Sequence, residues 1–313
     1  MNKLLQKKPI IIFLMGPTAV GKTSLSIEIQ KYLPLEIISV DSGLIYRGMD
    51  IGTSKPNYKE LAKIPHHLID IINPNEYYST ANFCQDALNI INKISKKNKI
   101  SLLVGGTMFY FKSLLEGLSP LPPPDFNLRD EIKQMIQKKG LSEIYYRLKK
   151  IDYIAASKIH PNDSQRLIRA LEICIISKKT LTEIQQLPKK KLPYNVLQFA
   201  ILPLNRKLLH ERIKQRFYLM LEKGFEEEAK KLFKQYNLNI NLPSIRCVGY
   251  KQMWLYLNGE INYNEMINKG ICATRQLAKH QITWLKKWNN IHLLKNENTK
   301  HNINLIIKTI FNF

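Results

Sequence analysis

Short runs of apolar, largely β-branched residues alternate with amphipathic stretches through the first hundred residues. Ile10–Met15 is a continuous apolar run of strand length, followed by helical periodicity over Lys22–Tyr32 and a second strand pattern at Leu35–Val40. Asn82–Ser95 again reads as helix, and Ile100–Val104 as a strand running into Gly105-Gly106. Strands separated by helices of this length predict an α/β fold, a parallel sheet with helices on both faces.

The rhythm changes at Ser119-Pro120-Leu121-Pro122-Pro123-Pro124, a stiff segment that suits a domain boundary. From Phe126 to about Gln186 the periodicity is helical throughout. Pro188, the run Lys189-Lys190-Lys191 and Pro193 follow, and Val196–Leu202 returns to a strand pattern. The expected organisation is a first part of the α/β core at 1–121, an all-helical insertion at 122–195, and the rest of the core with C-terminal helices at 196–313. Helices are expected over Arg206–Tyr236, Glu265–Trp288 and Ile303–Ile310, and the Asn-rich stretch after Trp288 reads as a peripheral tail.

Composition adds less. With 44% hydrophobic residues among 313 the chain can build a large core, which excludes wholesale disorder. The formal charge of +23 fits a polyanionic partner, but it rests on 38 Lys and only 10 Arg, so compositional drift explains it equally well. Cys84, Cys174, Cys247 and Cys272 form no CxxC pair, which argues against a zinc ribbon or a disulfide framework and for a reducing compartment. Lys3, Lys7 and Lys8 precede an apolar run as in a signal peptide, but that run is short and ends in Gly-Pro-Thr. No stretch approaches the ~20 apolar residues of a membrane span. The expected location is the cytoplasm.

Chemistry enters at Gly16-Pro17-Thr18-Ala19-Val20-Gly21-Lys22-Thr23, which fits G-x4-G-K-[ST] between a strand and a helix. Glycines let the backbone curl so that N–H groups point at phosphate oxygens, Lys22 adds a cation, and the Thr23 hydroxyl can ligate Mg2+. The fold expectation sharpens to a P-loop NTPase-like sheet. The second strand ends in Asp41-Ser42-Gly43-Leu44, which places a carboxylate on the edge where such ligands bind. Asp41 can hold magnesium through water or take a proton from a nucleophile. The third strand ends in Gly105-Gly106-Thr107 without an acid, which weakens an ATPase reading. A small-molecule kinase with a basic lid and an RNA-binding module with a degenerate loop remain open here. His66-His67 with Asp70 has no matching third ligand nearby and reads as structural. Phe109-Tyr110-Phe111 reads as core.

The stretches GPTAVGKTSLS, DSGLIYRGMDIGTSKP, PHHLIDI, VGGTMFYFKSLLEGLSPLP, HPNDSQRLIRALE, LPSIRCVGYKQMW and ATRQLAKHQITWLKKW together resemble the bacterial tRNA dimethylallyltransferases over about residues 10–290. The zinc-finger extension of many eukaryotic relatives is not among them. The resemblance implies transfer of dimethylallyl from its diphosphate to N6 of adenosine 37, in tRNAs reading codons that start with U. It also implies a helical insertion closing on the anticodon stem-loop, Mg2+ as cofactor, and a monomer as the expected state. By the same resemblance Gly16–Thr23 grips the diphosphate. Contacts with tRNA fall to Asp41-Ser42-Gly43-Leu44, Thr107, Arg129, Gln165-Arg166-Leu167-Ile168-Arg169, Arg246-Cys247-Val248-Gly249-Tyr250-Lys251 and Lys279-His280-Gln281-Ile282-Thr283-Trp284-Leu285-Lys286. Two positions depart from the family pattern. Gly43 stands where Ala is common, and Lys251 stands where Arg is common, which removes a bidentate fork.

The chemistry agrees with the resemblance. An exocyclic adenine amine is a poor nucleophile, and a carboxylate that accepts its proton lowers the barrier; Asp41 is the candidate. An allylic diphosphate ionises readily, so the task is to stabilise the departing charge. Lys22, the loop N–H groups, magnesium on Thr23 and an arginine, for which Arg216 is the candidate, can do so. Arg166 and Arg169 lie three apart on one predicted helix face and are expected to follow the phosphates of one strand.

Overall fold

The structure, a computed structural model, describes residues 9–57, 61, 64–190, 192–295 and 298–312. Lys3, Lys7, Lys8 and Lys191 lie outside the described residues. Six strands form one parallel sheet in the order β3-β2-β4-β1-β5-β6. These are β1 (Ile10–Met15), β2 (Leu35–Val40), β3 (His66–His67), β4 (Ile100–Gly105), β5 (Asn195–Leu202) and β6 (His292–Lys295). The central strand β1 is flanked in register by β4 (Met15 opposite Gly105) and β5 (Met15 opposite Ala200). Its five residues Ile11–Met15 are all buried, as a strand covered on both faces must be.

Helix α1 (Lys22–Ile29) covers one face, where Leu25 and Ile29 meet Ile12, Leu14, Ile37 and Leu102. On the other face lie α2 (Thr80–Lys96) and α3 (Met108–Glu116). Phe83 on α2 stacks on Tyr110 with ring centres 4.3 Å apart, and Phe111 packs 5.0 Å from Phe13. The aromatic run is therefore divided: Tyr110 and Phe111 are core, whereas Phe109 is 54% exposed. His67 Nε2 lies 2.8 Å from Glu36 Oε2, an acid that also accepts from Lys97 and Lys99.

A second apolar cluster joins Ile45, Tyr46 and Met49 to α9 (Arg206–Glu222), α10 (Phe225–Gln235), α11 (Tyr250–Leu257) and α12 (Tyr263–Lys286). The single helix expected over Arg206–Tyr236 is broken at Gly224, whose φ of 91° ends one helix and turns the chain into the next. Helix α11 has no counterpart among the expected elements.

The tail reading is overturned. Residues 292–295 are a parallel edge strand, and α13 (Thr299–Phe311) packs Ile303 and Ile306 into the same cluster as α1. Asn302, 3% exposed, accepts from the Lys295 amide at 3.0 Å and donates to its carbonyl at 2.6 Å. These bonds complete the backbone of a strand too short to show a period.

By contacts the chain divides into two compact units. One runs to Ser113 and resumes at Pro193; the other is Leu114–Leu192. The second unit carries α4 (Phe126–Lys139), α5 (Leu141–Ile151), α6 (Tyr153–Lys158), α7 (Ser164–Ser177) and α8 (Leu181–Gln186) around Ile132, Ile144, Leu148, Leu167 and Leu171. Among the described residues no helix is long and apolar enough to cross a membrane.

Candidate active site

The connections from β1 leave towards β2 on one side, whereas β5 lies on the other, so the carboxyl end of β1 is a switch point of the sheet. The loop Gly16–Gly21 starts there. A side chain at Gly16 would stand 2.9 Å from the Ile201 carbonyl, so only glycine lets the loop hug β5. Ala19 and Gly21 take positive φ of 62° and 92°, which coils the backbone before α1 begins at Lys22. The result is a helix N-terminus with free-end polarity beneath a loop of amides, an arrangement that attracts anions.

Lys22 folds back over this loop, its Nζ donating to the carbonyls of Gly16 (2.9 Å) and Pro17 (2.8 Å). Burial lowers its pKa to about 8; the Asp41 carboxylate opposes that shift and the Arg216 guanidinium adds to it. Arg216 on α9 donates to Ser54 Oγ at 2.7 Å, Thr53 O at 3.0 Å and Thr18 Oγ1 at 3.3 Å. Its pKa too is pulled down by burial and held up by Asp41. Lys22, Arg216 and Asp41, distant in sequence, therefore share one electrostatic site. Two cations against one carboxylate leave it positive, as an anion site must be.

Asp41 follows β2 and accepts from the Gly43 amide at 2.8 Å, a turn that fixes one oxygen and leaves the other available. Thr107 closes the next gap: its hydroxyl accepts from the Ser42 amide at 3.2 Å, and its amide donates to Val40 O at 3.2 Å. A Cβ at Gly43 would sit 3.3 Å from Asp41 Oδ1 and 3.8 Å from Cys247 Sγ, so the departure from alanine gives the acid slightly more room. Burial, with Asp41 adding to it, pushes the Cys247 thiol up to about 12, which keeps it a neutral neighbour.

Gln281 on α12 reaches the loop from the opposite side. Its Oε1 accepts from the Thr18 amide, and its Nε2 donates to Gly106 O, both at 2.9 Å. Thr23 is exposed at the start of α1. Among the described residues no group of three His, Cys, Asp or Glu could cage a metal ion.

The other expected contacts divide by exposure. Arg246, Lys251, Lys279, His280, Thr283, Trp284 and Lys286 face solvent, with Lys112 Nζ 5.8 Å from the Trp284 ring centre. Tyr250 (0% exposed) and Leu285 (2%) are core residues, so they support a contact surface rather than form one. In the helical unit Arg166 is exposed and Gln165 beside it, but Leu167 is buried. Arg169, expected beside Arg166 on the same face, is half-buried and bound to an acid of its own helix. Its NH1 donates to Glu172 Oε2 at 2.6 Å and its NH2 to Pro122 O, while Arg129 grips both oxygens of the same acid at 3.0 Å. Sequence spacing placed Arg166 and Arg169 on one face; the second is also held by a buried acid at 172. Thr53 and Ser54, which hold Arg216, lie inside one of the stretches that carry the resemblance but are not among the site residues it implies, and one of them contributes only its backbone carbonyl.

A model of the IPP transferase family matches residues 44–288. Among solved structures, the full-length tRNA isopentenylpyrophosphate transferase of Bacillus halodurans is 34% identical, with 98% of this chain and 96% of that chain covered and a TM-score of 0.72. The tRNA delta(2)-isopentenylpyrophosphate transferase of Staphylococcus epidermidis is 32% identical over 97% and 99% of the two chains, TM-score 0.70. A eukaryotic dimethylallyltransferase acting on tRNA is 28% identical, covering 97% of this chain and 79% of its own, TM-score 0.81.

Proposed function

We propose, for a chain that belongs to the IPP transferase family and so is a tRNA prenyltransferase, that the acceptor is N6 of adenosine 37 in tRNAs reading codons that start with U. The donor in this reading is dimethylallyl diphosphate, and the products are N6-(dimethylallyl)adenosine and diphosphate. The observation that carries it is the shared site of Lys22, Arg216 and Asp41 at the start of α1.

The donor diphosphate lies against the loop amides of Gly16–Thr23, with Lys22 exchanging its two loop carbonyls for phosphate oxygens. Arg216, already fixed by Thr53 and Ser54, meets the charge that grows as the allylic C–O bond breaks. Asp41 takes the proton of the adenine amine as the new N–C bond forms. The adenine must leave its stack to reach this point, which costs least in a loop. Magnesium fits the donor set of the Thr23 hydroxyl and substrate phosphates, since Mg2+ often binds through one or two protein oxygens plus phosphates and keeps its waters. When bound it neutralises charge on the diphosphate. Exposed Arg246, Lys251, Lys279 and Lys286, and Arg166 of the helical unit, bind the tRNA backbone. The enzyme acts in the cytoplasm as a monomer.

Incubation with radiolabelled dimethylallyl diphosphate and unmodified tRNA tests the reading. Label should enter the tRNA and appear in a prenylated adenosine at position 37 on nuclease digestion. Folded protein that moves no label, or labels another nucleotide, defeats it.

A further inference from the structure

Helix α10 begins with three acids, and a favourable interaction with the helix N-terminus accounts for each of them in general terms. One does more. Glu226 pairs with Lys230 at 2.6 Å and Glu227 is exposed, but Glu228 turns inward. Its Oε2 accepts from the amides of Asp50 (2.9 Å) and Ile51 (2.6 Å), and its Oε1 from the Gly52 amide (3.1 Å) and the Tyr250 hydroxyl. Four donors thus converge on one carboxylate, three of them consecutive backbone amides. The very next residues, Thr53 and Ser54, supply the carbonyl and hydroxyl that hold Arg216.

The turn has little freedom apart from this acid. A side chain at Gly52 would lie 2.2 Å from the Phe225 ring and 2.6 Å from the Tyr250 ring, so the backbone is pressed against the α10 start and α11. Ser54 holds a positive φ of 52°, an unfavourable conformation that persists only where its surroundings impose it. Without a carboxylate to receive them, the three amides would be left with no acceptor in a half-buried place, and the turn would shift to find water. Arg216 would move with it.

The geometry points to Glu228 as a positioning residue for Arg216: it sets the 50–54 turn that aims the guanidinium, and through Tyr250 ties that turn to the 246–251 segment. The inference rests on the role proposed above for Arg216 in holding the donor diphosphate. Its physical basis is preorganisation, since a guanidinium displaced by about 1 Å loses much of its advantage in the transition state.

A double-mutant cycle on the full chain tests it, with transfer of radiolabelled dimethylallyl to tRNA read at single turnover. Wild-type transfer must be seen first, which separates failure of this inference from failure of the proposed reaction. Glu228→Gln is nearly isosteric but presents an amide that cannot accept all four donors. It should slow transfer about 10- to 100-fold while tRNA binding by gel shift changes less than about threefold. In an Arg216→Ala background the same change should cost less than about threefold, because the group it positions is gone. A purely structural role would slow both backgrounds equally. Glu228→Asp keeps the charge with a shorter reach and runs through the same cycle if the Gln variant fails to fold. Equal losses with and without Arg216, or an unchanged rate in Glu228→Gln, overturn the inference.

Discussion

Gln281 Oε1 accepts the amide proton of Thr18 at 2.9 Å across 263 residues of sequence, while its Nε2 donates to the Gly106 carbonyl at the same distance. One side chain thereby ties the phosphate loop after β1 to the end of β4. It does so from α12, the helix whose exposed face carries Lys279, His280 and Lys286. The loop and the helix with that basic face thus share a brace.

Replacing that brace distinguishes geometry from charge. Gln281→Ala removes two hydrogen bonds and should destabilise the fold by about 1–3 kcal/mol in urea unfolding. Gln281→Glu keeps the acceptor for Thr18 but opposes one carboxylate oxygen to the Gly106 carbonyl and brings negative charge to an anion site. Its KM for the donor should therefore rise more than that of Gln281→Ala. Equal KM values in the two variants would show that the loop feels no field from position 281.

The Lys22 ammonium should give the free enzyme a titration near neutrality. With a pKa of about 8 instead of 10.5, its charge is present below pH 8 and lost above it. Affinity for inorganic diphosphate, measured by calorimetry, should fall as pH rises through about 8, with proton uptake on binding in that range. Stability takes the opposite sign. The unfolded chain keeps the proton up to about 10.5 whereas the folded chain releases it near 8, so this group's unfavourable contribution fades as pH rises between them. Lys22→Arg should remove the pH limb from diphosphate binding, because guanidinium stays charged.

Asp41→Asn separates the turn from the chemistry. The amide oxygen still accepts from Gly43, so thermal stability should change little. The proton acceptor is gone, and single-turnover transfer to tRNA should slow about 10²- to 10⁴-fold. A rate within threefold of wild type would remove Asp41 from the proton transfer.

Glu172 should govern the helical unit. Burial alone would raise its pKa, but Arg129, Arg169 and the Asp125 amide outweigh that and hold it below the ordinary carboxylate value. Its stabilising effect is therefore complete above the ordinary value and is lost as pH falls through the depressed one. Glu172→Ala leaves two guanidinium groups without their shared partner and should cost about 3–5 kcal/mol, read by thermal and denaturant unfolding. Exposed Arg166→Ala should leave stability unchanged and weaken tRNA binding, with a shallower salt dependence.

Periodicity and spacing determined the parallel sheet, the strands read at 10–15, 35–40, 100–104 and 196–202, each within a residue of the observed bounds, and the loop that begins α1, because buried parallel strands must be apolar throughout and a phosphate loop needs its glycines in fixed places. The end of the second strand also brought Asp41 forward, and the charge of a departing diphosphate called for an arginine, for which Arg216 was the candidate. Tertiary structure alone decided the rest. It recruited the tail into the sheet through Asn302, drew Arg129 and Arg169 onto Glu172, and used Thr53, Ser54 and Gln281 to frame the site. The physical reason is common to these cases: a backbone carbonyl or amide acts wherever packing puts it, whatever side chain it carries, and the partner of a buried charge is fixed by contacts across the fold that no local pattern records.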